Sequence, residues 1–436
     1  MSPLKRITLT FTLLPILLGG GCSDEDTTGA VTTIEVWAHA GQQSERRTLG
    51  AQVARFNAQQ AGTFRIELTL IPEGSYNDQV QAAAVAGELP DLLEFDGPFL
   101  YTYAWQGRLR TLDDLLSQSL LDDLLPSILE QGRYHDRLWA VGTFDSGLGL
   151  YADRRTLQEV GARIPSLDAP WSIDEFDALI EQLAATDPDA QVLDLKLNYA
   201  GEWYTYAMSP LLQSAGGDLI DRDAQQAAGI LDGPASIAAM TTIQNWIKKG
   251  RIDPNIDDAA FTSGRVALAL GGHWNYPRYH DKLGDNLLLL PLPDFGEGPK
   301  SGQGSWCWAM TADSRHPNEA AAFLSFLLKT DEVLAMSEAN SAVPASYRAI
   351  ARSPRYREGG VLRLFVEQLQ QGYSVPRPQT PAYPVITAEF QKVVVRIRAG
   401  ASVQQSLTTA AKEIDREIAD NRGYPLVGRA KEEVER

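Results

Sequence analysis

The sequence predicts an α/β protein of two lobes, each a mostly parallel sheet flanked by helices. Three observations carry this. Thr33 to Asp96 alternates strand, helix, strand, helix, strand, the pattern of a parallel sheet covered by helices. The 436 residues exceed what one core ordinarily serves. No Pro/Gly/Ser linker divides the middle of the chain, so the lobes should share several crossings rather than hang as two beads.

The elements follow in order. "TIEVWAH" (33–39) has the β-branched alternation of a strand. Ser44 should cap a helix whose Leu49, Val53 and Phe56 recur at helical spacing, with Gly62 ending it. "FRIELTLI" (64–71) is the second strand. "NDQVQAAAVAGELPDLLEFD" gives a helix, a Gly and Pro break, and a buried strand ending at Asp96. Further on, "RLWAVGTFDSGLGLYADRRTL" reads as strands, and Ser172 with Glu175 has capping-box spacing before a helix. "VALALGGHW" and "LLLLPLP" read as strands, and "HPNEAAAFLSFLLKTDE" as a strong helix. From about Gln391 the chain ends in helices.

The start of the chain reads differently. Lys5 and Arg6 precede an apolar run, Ile7 to Leu18, of signal-peptide length. "LLGGGC" and the polar "SDEDTTG" follow. This resembles the lipobox of bacterial lipoproteins, with Gly19 where an aliphatic residue is usual and Leu18 one place further back. The resemblance implies a signal peptide over 1–21, a diacylated Cys22 anchoring the protein to a membrane, and a tether over 22–30. With Cys22 lipidated, Cys307 is the one remaining thiol of two cysteines, and no intrachain disulfide forms.

Composition narrows the function. A net charge of −17 opposes binding to nucleic acid or an anionic membrane surface, which requires basic groups to displace counterions. The five His are scattered, so neither metal nor other cofactor is expected. The signatures G-x-S-x-G, G-x-x-x-x-G-K-[ST], H-E-x-x-H and C-x-x-C do not occur. A pair of carboxylates at glycosidase spacing stays open as a rival reading. What recurs is aromatics beside carboxylates and amides: "VWAHAGQQSE", "EFDGP", "TFDSG", "GEWYTY", "GGHWNYP" and "GSWCW". Sugars need this combination, because their C–H faces stack on aromatic rings and their hydroxyls need hydrogen-bond partners.

"AGELPDLLEFD", "FTSGRVALALGGHW" and "AAFLSFLLKTDEVLAMSEANSAVPA" resemble the extracellular solute-binding proteins of ABC sugar importers, the maltose-binding-protein-like family, from Thr33 to about Lys412. "TFDSGLGLYADRRTL", "VPRPQTPAYPVI" and "GSWCWAM" are similar to motifs of its trehalose/maltose-binding branch, with Ser305 replacing a Gly. The resemblance implies sugar contacts from Glu45, Asp96, Phe144, Asp145, Trp274, Tyr276, Trp306 and Arg377, with Trp203 and Tyr204 as an added aromatic pair and His39 and Tyr76 as minor candidates. Each has a plainer reading: Glu45 as an acid favoured at a helix start, Asp96 as a turn former before Gly97, Asp145 as a loop carboxylate, the aromatics as core.

The resemblance also implies a type II periplasmic-binding-protein-like fold. Its first lobe would comprise 31–138 and 304–328, its second 139–303 and 329–436, with hinge crossings near Leu138–Val141, Gly298–Gly304 and Leu328–Glu332. It implies a monomeric receptor, held outside the cytoplasm, that passes an α-linked glucose disaccharide to ABC permease subunits. The rivals are a secreted glycoside hydrolase using Asp96 and Asp145, or a receptor for another solute such as another oligosaccharide or a polyol phosphate. Strand alternation puts Trp306 on the opposite face from Cys307, making the thiol a packing group.

Overall fold

The structure is a computed structural model that describes residues 31–425. The expected signal peptide, Cys22 and the whole tether lie outside the described residues. Among these residues, no helix is long and apolar enough to cross a membrane.

The first sheet runs in the order Phe64–Ile71, Thr32–His39, Leu92–Asp96, Trp306–Thr311, Leu109–Arg110. The first three strands are parallel, and their hydrophobic alternation buries Ile34, Val36 and Ala38 completely. Trp306–Thr311 pairs antiparallel with Leu92–Asp96, and Ala140–Val141 joins it from the other side. The second sheet runs Leu193–Asp194, Leu268–Gly272, Leu148–Asp153, Leu287–Leu290. There only the first pairing is parallel. Both sheets are therefore mixed rather than mostly parallel. The cause is connectivity: Trp306–Thr311 and Leu148–Asp153 each enter their sheet from a crossing rather than through a helical βαβ step.

Most boundaries follow from local chemistry. The helix Gln43–Gln59 starts at Gln42, not at Ser44, because Glu45 reaches back to accept the Gln42 backbone N–H at 2.6 Å. Ser44 lies inside the helix. The next helix, Glu73–Ala86, stops at Gly87, whose φ of 72° suits a residue without Cβ. Ser172 and Glu175 form the expected reciprocal cap of Ile173–Thr186.

The first sheet is packed on both faces. One face buries Phe95, Tyr101, Trp139 and Cys307 under the helices Glu73–Ala86 and Leu100–Trp105. The other joins Phe56, Trp308 and Phe323 in a larger core. Cys307 and Trp308 thus lie on opposite faces, as strand alternation requires. The second sheet packs with the terminal helices Tyr383–Arg398 and Val403–Asp420. Two short ribbons tie segments that lie between sheet strands to later parts of the chain: Phe144–Asp145 with Val343–Pro344, and Ser301–Gln303 with Ser374–Pro376. The chain stays against the first helix through Thr330–Asn340, where Glu332 accepts from Gln52 at its carbonyl and pairs with Arg55 at 2.5 Å.

Candidate functional site

Parallel strands deliver their C-terminal ends to one edge of a sheet, and that edge collects polar residues here. His39 ends the first strand and Asp96 the third, and Trp306 begins the inserted strand directly opposite Asp96 in register. The His39 imidazole stacks on the Trp306 indole with centroids 3.8 Å apart and planes 12° apart. Tyr76 meets the same indole edge-on at 5.6 Å. Trp306 remains partly exposed. Glu94 accepts from His39 at 2.8 Å. Burial alone would lower the His39 pKa, but Glu94, with Glu45 and Glu73 further off, holds it above the ordinary histidine value. Glu45 caps its helix with one oxygen and accepts from Asn340 Nδ2 at 3.1 Å with the other.

The second lobe supplies an aromatic wall. Trp203, Tyr206 and Trp274 cluster with centroids 6.0–6.3 Å apart. Trp203 is anchored by its indole N–H to the Leu195 carbonyl at 3.0 Å, and Tyr206 by a 2.8 Å hydroxyl contact with Ser146. Trp274 is the partly exposed member. It turns back over Gly272, where a Cβ would lie 2.2 Å from the indole. Glu202, at the start of the helix Glu202–Ser214, accepts from Thr387 at 2.8 Å and from Tyr383.

Arg377 joins the two edges. Its Nη1 and Nη2 form a two-pronged pair with Asp96 at 2.7 and 2.6 Å, and Nη1 also reaches Glu202 at 2.7 Å. The guanidinium lies over the rings of Tyr206 and Tyr383. Burial raises the Glu202 pKa; Arg377 opposes that shift and Asp96 adds to it. One cation held between two acids leaves the cluster acidic, which suits neutral hydroxyl groups better than an anion.

The structure therefore brings Glu45, Asp96 and Trp306 to the first-lobe edge, Trp203 and Trp274 to the facing wall, and Arg377 between them. Others lie elsewhere. Asp145 is completely buried, accepting from the Ser146 backbone at 2.7 Å and from Gln131 at 3.2 Å, and burial raises its pKa. Phe144, beside it on the ribbon, is also buried and meets His273 edge-on. Tyr276 packs beside His280 and Arg355 in the large core. Tyr204 is buried and donates to the Leu197 carbonyl. Sequence reasoning missed Glu202, Tyr206 and Tyr383. Their signal was present in "GEWYTY" and "PAYP", but a polar residue at the start of a helix reads first as a cap. Cys307 is buried and its thiol is pushed well above the ordinary range, so no nucleophile stands at the edge.

Comparison with known proteins supplies the family. A family model described as bacterial extracellular solute-binding protein matches residues 51–358. A lipoprotein from the oleD 5' region of Streptomyces antibioticus is 24% identical over 79% of this chain and 77% of its own length. The maltotriose-binding protein of Pyrococcus abyssi is 20% identical over 72% of this chain and 67% of its own. Among solved structures, the GacH receptor of Streptomyces glaucescens GLA.O, determined unliganded and with acarbose, superposes with a TM-score of 0.75 at 20% identity, covering 89% of this chain and 99% of that one. That likeness carries the two-domain binding-protein fold. The matched family binds solutes and is not a family of enzymes. With a family match over more than half its length, the chain belongs to the bacterial extracellular solute-binding proteins.

Proposed function

We propose that the protein is the extracytoplasmic sugar receptor of an ABC importer, taking an α-glucoside disaccharide of the trehalose or maltose type between its lobes and delivering it to membrane permease subunits. The observation that supports this most is the pairing across the interlobe edge of carboxylates (Glu45, Asp96, Glu202) with partly exposed indoles (Trp306, Trp274). Indole faces take the apolar side of a sugar ring and carboxylates take its hydroxyls. The named ligands of the relatives, maltotriose and acarbose, agree with the substrate class.

In this reading the lobes are 31–138 with 304–328, and 139–303 with 329–436, except that Thr330–Asn340 packs on the first-lobe helix Gln43–Gln59. Closure brings the two edges together around the ligand, since each contributes only part of the contact set. Asp145 and Phe144 would act from the hinge, and Tyr276 from its place beside His280 and Arg355. Cys22 would carry the lipid that holds a monomeric receptor at the membrane, a view supported by the lipoprotein name of one relative. Micromolar affinity, about −8 kcal/mol, is within reach of two stacked rings and a few charged hydrogen bonds.

Titration calorimetry with trehalose, maltose, maltotriose and glucose tests the proposal. Binding at micromolar to tens-of-micromolar affinity by a glucoside is expected. If none of the four binds better than millimolar, the proposal fails.

A further inference from the structure

Beside the Arg377 cluster, Gly97, Tyr101, Gln131, Gln303, Arg377 and Gln379 line a small recess. It lies where the end of the strand Leu92–Asp96, the crossing at Gly304 and the segment after Pro376 converge. Its polar groups are incompletely used. Arg377 is 6% exposed, and its Nε is buried without a hydrogen-bond partner while both Nη atoms are engaged. The Nε2 of Gln379 is likewise buried and unpartnered. Gln131 and Gln303 bond through their Nε2 atoms to the Ser127 carbonyl, and Gln131 also to Asp145, with their own amide carbonyls left over.

Buried donors without partners mark places where an oxygen belongs. Here two donors face two amide carbonyls. A hydroxyl group matches that mixture, since it donates and accepts at once. An anion does not, because it would meet the carbonyls and lie near Asp96 and Glu202, which already outnumber Arg377. The space inside admits about one water-sized group, so it takes hydroxyl oxygen at one end of a ligand rather than a sugar ring.

We infer that this recess is a hydroxyl subsite in which Arg377 Nε and Gln379 Nε2 donate to neighbouring oxygens at one end of a neutral sugar, and that Gln379 helps set which sugar is preferred. The inference rests on the proposed sugar-binding function and adds Gln379, Gln303 and Gln131 to the residues it assigns. Ordered water fills the same positions when no sugar is bound.

Two experiments test it. A crystal structure of the unliganded protein, fine enough to place waters, should show ordered oxygen within hydrogen-bond distance of both Arg377 Nε and Gln379 Nε2. A dry recess, or both groups turned to protein partners, overturns the inference whatever the protein binds. Calorimetry then compares the wild type with Gln379→Leu and Gln379→Glu, using whichever of maltose and trehalose the wild type binds more tightly. Gln379→Leu should weaken that sugar about five- to tenfold and change the maltose-to-trehalose ratio, with the melting temperature unchanged. Intact affinity and ratio in Gln379→Leu overturn the inference and leave the sugar receptor standing. If Gln379→Leu melts early, Gln379→Glu, which keeps the shape and removes the donor, replaces it and is judged by the same criterion. If the wild type binds neither, the comparison uses maltotriose or glucose, whichever it binds; a wild type that binds none of the four refutes the receptor proposal itself, and the crystal alone then decides whether the recess holds oxygen.

Discussion

Replacing Asp96 by Ala removes the first-lobe partner of Arg377. Two charge-assisted hydrogen bonds, at 2.7 and 2.6 Å, disappear together. The side chains involved are 5% exposed for Arg377 and 19% for Asp96, so water does little to replace them. Removing one partner of a buried pair commonly costs about 3–5 kcal/mol, because the other charge is left stranded. Glu202 stays 2.7 Å from the same guanidinium and keeps part of the compensation. The expected loss is therefore about 2–3 kcal/mol, between that figure and the ~1 kcal/mol of an exposed pair. Urea unfolding followed by far-UV circular dichroism measures it at fixed pH. In the double mutant with Glu202→Gln the two effects should be non-additive by at least ~0.5 kcal/mol, since both acids share one cation. Small-angle scattering should show Asp96→Ala more open than the wild type. A loss below ~1 kcal/mol, with additive effects and an unchanged radius of gyration, would refute the idea that this cluster clamps the lobes.

Three other predictions concern neighbouring groups. His39 holds its proton more tightly folded than unfolded, so its stabilisation is complete below the ordinary value of 6.5 and fades as the pH rises through the raised folded value. The difference in urea midpoint between wild type and His39→Gln should therefore shrink from about pH 5.5 to about pH 8.5, and a constant difference would contradict this. Gly272→Ala should push the Trp274 ring from its place, since the new Cβ would fall 2.2 Å from it. Reduced indole fluorescence change on sugar addition and at least about fivefold weaker binding are expected. Iodoacetamide should leave the Cys307 peptide unmodified in the native protein and modify it fully in urea, because the buried thiol resists ionisation.

The first lobe was legible in sequence because its signals are local. Phe64–Ile71 matches the eight residues read as a strand, and Gly87 marks the boundary its chemistry implies, as Ser172 does in the second lobe. The mixed character of the sheets was not legible, because strand direction is set by which distant segment enters the sheet and from where. Ser44 misled because a serine before an apolar run looks like a cap, while Gln42 and Glu45 close the helix start between them. Among site residues, Asp96, Trp306 and Trp274 stand at strand ends where the aromatic and acidic pairing in the sequence suggests an edge. Asp145 and Phe144 share that pairing yet lie buried on a crossing ribbon, because sequence alone does not tell an edge from a hinge. Arg377 and Asp96 were both found, but neither their pairing nor Glu202 was, because the three lie far apart in the chain and meet only in the fold.

The strand Trp306–Thr311 has a bearing on how the chain is made. It sits in the interior of the first sheet, yet every strand of the second sheet precedes it in the chain. While the polypeptide emerges from its N-terminus, Leu92–Asp96 has one edge with no neighbour until Thr311 has appeared. The first lobe then matures only after every strand of the second sheet has been synthesised, a long-range closure of the kind that slows folding. In the proposed extracytoplasmic role, that delay keeps the first lobe unfolded while the chain crosses the membrane. It also means that a fragment ending before Trp306 presents the bare edge of Leu92–Asp96 to its neighbours, and should aggregate rather than persist as half a receptor.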